Sequence, residues 1–117
     1  MSTEHKKLVV LLVEDDDSIR EISEMILEGN YEVHAVRNGD EAEAWLRHRK
    51  PNLLFTDVRM PGKVSGQELA TRHRDLPVLV TSGEAKEQHA WVEAPMGYLA
   101  KPYDRKTLLA AVQSLAA

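Results

Sequence analysis

Short apolar runs alternate along this chain with segments whose apolar residues recur every three or four positions. Leu8 to Val13 is continuously apolar, the pattern of a strand buried on both faces. After it come Asp15, Asp16, Asp17 and Ser18, then Ile19, Ile22 and Ile26 at helical spacing. Ser18 and Glu21 stand at capping-box spacing, and Gly29 is a natural stop. Tyr31 to Val36 reads as a second strand, ended by Asn38-Gly39. Ala42, Trp45 and Leu46 mark one face of a second helix, closed before Pro51.

Leu53 to Thr56 is the third strand, and Ser65 to about His73 a short third helix with Ser65 and Glu68 as a second capping box. Pro77 to Thr81 is the fourth strand. Glu84 to Ala94 reads as a weakly amphipathic fourth helix whose apolar face is essentially Trp91 with alanines. Gly97 to Ala100 is the fifth strand, and Asp104 caps a last helix carrying Leu108, Leu109, Val112 and Leu115. Five strands alternating with five helices predict an α/β fold with a parallel sheet, right-handed crossovers and helices on both faces. Ligands of such folds sit at the carboxyl ends of the strands.

Bulk properties narrow the chemistry. The chain has 117 residues, enough for one domain with its own core, and is expected to divide into a polar tail over 1–7 and a single domain over 8–117. It has no cysteine, which excludes disulfides, thiolate metal sites and cysteine nucleophiles and fits a reducing compartment. The net charge of −4 is spread without a Lys/Arg-rich stripe, so no nucleic-acid groove is expected. No signal peptide or bilayer-length apolar run is present, and the expectation is a cytoplasmic protein without membrane insertion.

The strand ends carry the chemistry. The first strand ends in Glu14-Asp15, the third in Asp57, the fourth in Thr81-Ser82 and the fifth in Lys101-Pro102. Brought together, two carboxylates about 4 Å apart repel by on the order of 4 kcal/mol at an effective dielectric near 20. A proton or a cation must relieve this. Hard oxygen donors with open positions suit Mg²⁺ completed by a phosphate oxygen. Lys101 adds a positive charge and Thr81 a hydrogen-bond donor. Asp57 among them is suited to accept a phosphoryl group as a nucleophile.

Four stretches in this order, LLVEDD (11–16), LLFTDVRMPG (53–62), PVLVTSG (77–83) and GYLAKPY (97–103), resemble the receiver domain of two-component response regulators, and the resemblance covers essentially the whole chain. It implies a flavodoxin-like doubly wound (βα)5 fold with strand order 2-1-3-4-5. It implies Asp57 as phosphoacceptor, with Lys101 and Thr81 completing the catalytic set. Asp15, Glu14, Asp57 and the backbone carbonyl of Arg59 would hold Mg²⁺, with Mn²⁺ as a possible substitute. Thr81 and Tyr98 would form the switch pair, and the Lys101-Pro102 bond would be cis.

The resemblance further implies a phosphorylation-dependent signalling switch that catalyses its own aspartyl phosphorylation and dephosphorylation. It would act through protein–protein contacts, with a sensor histidine kinase or histidine phosphotransfer protein as donor. A free-standing single-domain regulator is the expected form. A phosphorylation-independent binding module and the receiver part of a hybrid histidine kinase are the alternatives. A small phosphohydrolase is a third rival, disfavoured because Arg59 stands where those enzymes place a second acid.

Two departures bear on docking. The stretch from Asp57 to Thr81 is shorter than the family pattern, so the third helix should be truncated, and the fourth helix also reads short. Arg59 and Gly83 flank the acceptor, positions that tune phosphoryl lifetime in that family. Ser82 is the alternative functional hydroxyl if the register differs, and Tyr98 could be a packed aromatic only. His5, His34, His48, His73 and His89 show no metal-ligand spacing and read as structural or solvated.

Overall fold

The structure is a computed structural model describing residues 7–117, so residues 1–6, including His5 and most of the expected tail, lie outside the described part. The strands are β1 (Val9–Val13), β2 (Glu32–Val36), β3 (Leu53–Asp57), β4 (Val78–Ser82) and β5 (Gly97–Ala100). They pair in parallel in the order β2-β1-β3-β4-β5, as the resemblance implies. The helices are α1 (Asp17–Glu28), α2 (Gly39–Leu46), α3 (Gly66–Arg72) and α4 (Arg105–Leu115).

The apolar strands alternate between two cores because successive side chains leave a strand on opposite faces. Leu11, Val13, Leu54, Val78 and Val80 pack beneath α2 and α3 with Ala42, Leu69 and Ala70. Val10, Leu12, Leu53, Phe55, Leu79 and Leu99 pack beneath α1 and α4 with Leu27, Leu108 and Val112. A sheet covered on both faces requires strands that are apolar throughout, which is why β3 and β4 are buried at every position.

Helix starts follow short polar side chains. Asn38 accepts from the Glu41 N–H, and Asp104 from the Thr107 N–H. Ser65 and Glu68 form the expected capping box at α3, which has only seven residues. At α1 the cap is Asp16, not Ser18: Asp16 Oδ1 accepts from the Ile19 N–H at 2.9 Å, and Ser18 falls inside the first turn. The Asp16 N–H donates to Glu14 Oε2 at 3.1 Å, which fixes the cap two residues earlier than the sequence pattern suggests.

The expected fourth helix over Glu84–Ala94 is absent as an α-helix. One 3-10 turn, Lys86–Gln88, stands in the connection from β4 to β5. His89 and Val92 are buried and Trp91 partly so. The Glu84 N–H donates to the Ser82 hydroxyl and its carbonyl accepts from the Tyr98 hydroxyl. A helix would give the Glu84 carbonyl to the N–H four residues on, and the Tyr98 hydroxyl takes it instead. The Ala94-Pro95 and Lys101-Pro102 bonds are both cis, the second as expected.

Candidate functional site

Strand order puts β3 at the centre, and its last residue, Asp57, is 6% exposed. Thr56 Oγ1 donates to the Asp57 carbonyl at 2.9 Å. The start of α3 closes over the same carbonyl: a Cβ on Gly66 would lie 1.9 Å from it, so no larger residue fits there without moving the strand tip. The Gly66 N–H donates to the Val58 carbonyl at 3.0 Å. The backbone around Asp57 is thus held on both sides.

Lys101 Nζ, carried by the turn after β5, lies 2.7 Å from Asp57 Oδ2 and 2.8 Å from Glu14 Oε1. Glu14 is 1% exposed and follows β1 directly. Its Oε1 accepts no directed hydrogen bond despite the nearby ammonium. Glu14, Asp15 and Asp57 each offer an oxygen, and the three lie within 4.8 Å of one another. Asp15 is exposed, so the cluster is open to solvent on that side.

This arrangement leaves Glu14 poorly satisfied. Burial, helped by the Asp57 charge, outweighs Lys101 and the Asp16 N–H and raises its pKa to about 7. Burial also works against the Lys101 charge, but the contacts with Asp57 and Glu14 prevail and hold the ammonium above its ordinary range. A buried carboxylate oxygen with no directed partner, beside two more hard oxygen donors, fits a divalent cation. The cluster is capable of coordinating a metal.

Thr81 pairs in register with Asp57, but its hydroxyl turns toward β5 and donates to the Leu99 carbonyl at 2.7 Å. Tyr98 is half-buried on β5, with its hydroxyl on the Glu84 carbonyl. Ser82, the alternative hydroxyl, is engaged in the following loop through the Glu84 N–H. The Arg59 side chain is exposed and makes a two-pronged bond to Glu84.

Three neighbours escaped the sequence reading. Glu84 is the hub of the loop after β4, His89 is buried with Nε2 3.1 Å from Glu84 Oε1, and Gly66 packs on Asp57. Glu84 meets Arg59 and Tyr98 across 25 and 14 positions, and no local spacing announces those contacts. Gly66 alone left a sign, as a glycine directly after a helix cap.

Residues 10–113 match the response regulator receiver domain. The chain is 32% identical over 116 residues to the phosphate regulon transcriptional regulatory protein PhoB of Rhizobium meliloti (strain 1021), covering 91% of this chain and 51% of that protein. It is 36% identical over 107 residues to the response regulator protein FleR of Pseudomonas aeruginosa, covering 86% and 23%. It thus spans about half of the first and a quarter of the second. Among solved structures, a putative response regulator from Chloroflexus aurantiacus J-10-fl superposes with a TM-score of 0.83 at 33% identity, covering 93% of this chain and 97% of that one. The chemotaxis response regulator CheY4 of Vibrio cholerae gives 0.83 at 28% identity, covering 93% and 98%. With this sheet order, this acidic cluster and a match across nearly its whole length, the chain belongs to the response regulator receiver domain family.

Proposed function

We propose that the chain works as a phosphorylation-dependent signalling switch in which Asp57 accepts a phosphoryl group from a phosphohistidine. A receiver domain with this acidic cluster is, at the level of the family, a phosphoaspartate switch that phosphorylates and dephosphorylates itself instead of turning over a separate substrate. The observation that carries the assignment to Asp57 is its place at the tip of the central strand, bonded by Lys101 and grouped with Glu14 and Asp15.

Asp15, Glu14, Asp57 and the Arg59 carbonyl would hold Mg²⁺, or Mn²⁺ in its place. The ion, when bound, supplies charge neutralisation at the transferring phosphoryl oxygens. An Asp57 oxygen forms the bond to phosphorus as the bond to the donor imidazole nitrogen breaks, and the electron pair stays with the imidazole. Lys101 meets the charge on the phosphoryl group, and Asp57 is held for in-line approach by the Thr56 and Gly66 contacts.

The Thr81 hydroxyl would leave the Leu99 carbonyl for a phosphoryl oxygen, and Tyr98 would leave the Glu84 carbonyl to follow it inward. The two bonds seen here, to the Leu99 and Glu84 carbonyls, are the ones such a switch would exchange. The donor would be a sensor histidine kinase or a histidine phosphotransfer protein, and the signal would pass through protein contacts.

Intact mass after incubation with Mg²⁺ and acetyl phosphate tests the assignment. Wild type gains one phosphoryl mass and Asp57→Asn gains none. An unlabelled wild type, or a variant labelled as well as wild type, would sink it.

A further inference from the structure

We propose that Glu84 is a positioning residue that holds the Arg59 guanidinium off a phosphoryl group on Asp57 and so prolongs the life of the aspartyl phosphate; this rests on the function proposed above.

The tips of β3 and β4 run side by side, and the pairing of Asp57 with Thr81 sets their register. Two residues beyond Asp57, Arg59 sends Nε to Glu84 Oε1 and Nη2 to Glu84 Oε2, both at 3.0 Å. Such a fork uses two parallel bonds and fixes the guanidinium plane, which a single contact does not. Arg59 beside Glu84 holds the carboxyl below its usual range, so the pair stays charged at neutral pH.

The anchor is fixed from behind. The Glu84 N–H is bonded to the Ser82 hydroxyl, a contact that inward movement of Tyr98 leaves in place. Glu84 Oε1 also lies 3.1 Å from Nε2 of His89, whose ring sits among Tyr98 and Trp91 at centroid distances of 6.1 and 6.3 Å. Gly83, directly after β4, leaves open space where a side chain would stand. The Cα atoms of Asp57 and Arg59 are at most about 7 Å apart along the chain, so a guanidinium freed from Glu84 reaches a phosphoryl group on Asp57.

What it would do there follows from the chemistry of phosphoryl transfer. In hydrolysis, a water oxygen forms a bond to phosphorus while the bond from phosphorus to the Asp57 oxygen breaks. The electron pair returns to the carboxylate, and the water proton leaves with inorganic phosphate. Charge spreads over the equatorial oxygens of a loose transition state, where an arginine accelerates the reaction. Glu84 withholds that arginine.

The test is the half-life of acetyl-phosphate-labelled protein in Mg²⁺, read by intact mass, across wild type, Glu84→Gln, Arg59→Ala and the double variant. Glu84→Gln keeps the backbone bonds and the side-chain shape. Its half-life should fall at least about threefold, a shift of the size one charged contact gives in rate. In the Arg59→Ala background the same change should have no effect. A half-life unchanged or lengthened by Glu84→Gln, or shortened equally without Arg59, overturns the role.

The Arg59 Nε–H resonance of unphosphorylated protein is a readout independent of turnover. It should be sharp and slow to exchange in wild type and averaged in Glu84→Gln. Averaging in wild type also overturns the proposal. A wild type that takes no phosphoryl mass overturns the function and this role together, whereas a labelled wild type with an indifferent half-life removes only Glu84.

Discussion

Lys101 Nζ stands 2.7 Å from Asp57 Oδ2, and the same ammonium is the one cation within reach of the Glu14 carboxylate among the described residues. Two buried carboxylates therefore share a single counter-charge. Lys101→Ala should destabilise the metal-free protein by about 1–3 kcal/mol, below the cost of stripping a fully buried pair because the lysine keeps some solvent contact. Saturating Mg²⁺ should recover part of the loss. Urea unfolding with and without Mg²⁺ measures both, and equal midpoints for variant and wild type would show that the pair carries no stability.

Glu14, raised to about 7 from 4.5, gives a pH signature of defined sign. A carboxyl raised by the fold adds stability that is complete below about 4.5 and is lost as pH climbs through about 7. A cation needs the ionised form, so metal affinity should rise with pH up to roughly 8 and then level off. Binding near neutral pH should release a proton. Calorimetry in buffers of different ionisation enthalpy reads that proton directly, and Glu14→Gln should abolish it.

Gly66 is required by space, not by backbone angle. Gly66→Ala would push a methyl group into the Asp57 carbonyl and the Val58 Cα, at a cost of about 3 kcal/mol from overpacking. Phosphoryl acceptance should fall with it, since the strand tip itself must move. Denaturant midpoints together with labelling by acetyl phosphate decide this, and a wild-type midpoint would contradict it.

Asp16 and Ser18 offer a direct contrast. Asp16→Ala removes the α1 cap and should cost about 1 kcal/mol, whereas Ser18→Ala, inside the first turn, should change stability by no more than about 0.5 kcal/mol. The reverse order in thermal or urea unfolding would restore Ser18 as the cap.

The legible parts of this protein were those written locally. Runs such as Leu53–Phe55 and Val78–Val80 announced buried parallel strands, and Asp104 announced its helix. The strand tips located Glu14, Asp15, Asp57 and Lys101 because a parallel sheet forces its carboxyl ends together. The α1 cap was misread by two residues, since Ser18-Glu21 mimics a capping box while Asp16 is drawn into place by Glu14. The stretch over 84–94 was misread as a helix because alanines and charges favour one in isolation. The tertiary bond from Tyr98 outweighs that weak preference. The pairing of Arg59 with Glu84 spans 25 positions, beyond any local pattern.

The connection from β4 to β5 has a consequence for how the molecule moves. Its main-chain bonds are short hops, Gln88 to Ala85, His89 to Lys86, Val92 to His89 and Met96 to Glu93, and no ladder ties them into one cooperative unit. Amide protons there should exchange through small local openings while those of β3 and β4 wait for global unfolding. Remodelling this flank means exchanging a handful of side-chain bonds, so the protein can alter its outline on one side without loosening the sheet that carries Asp57.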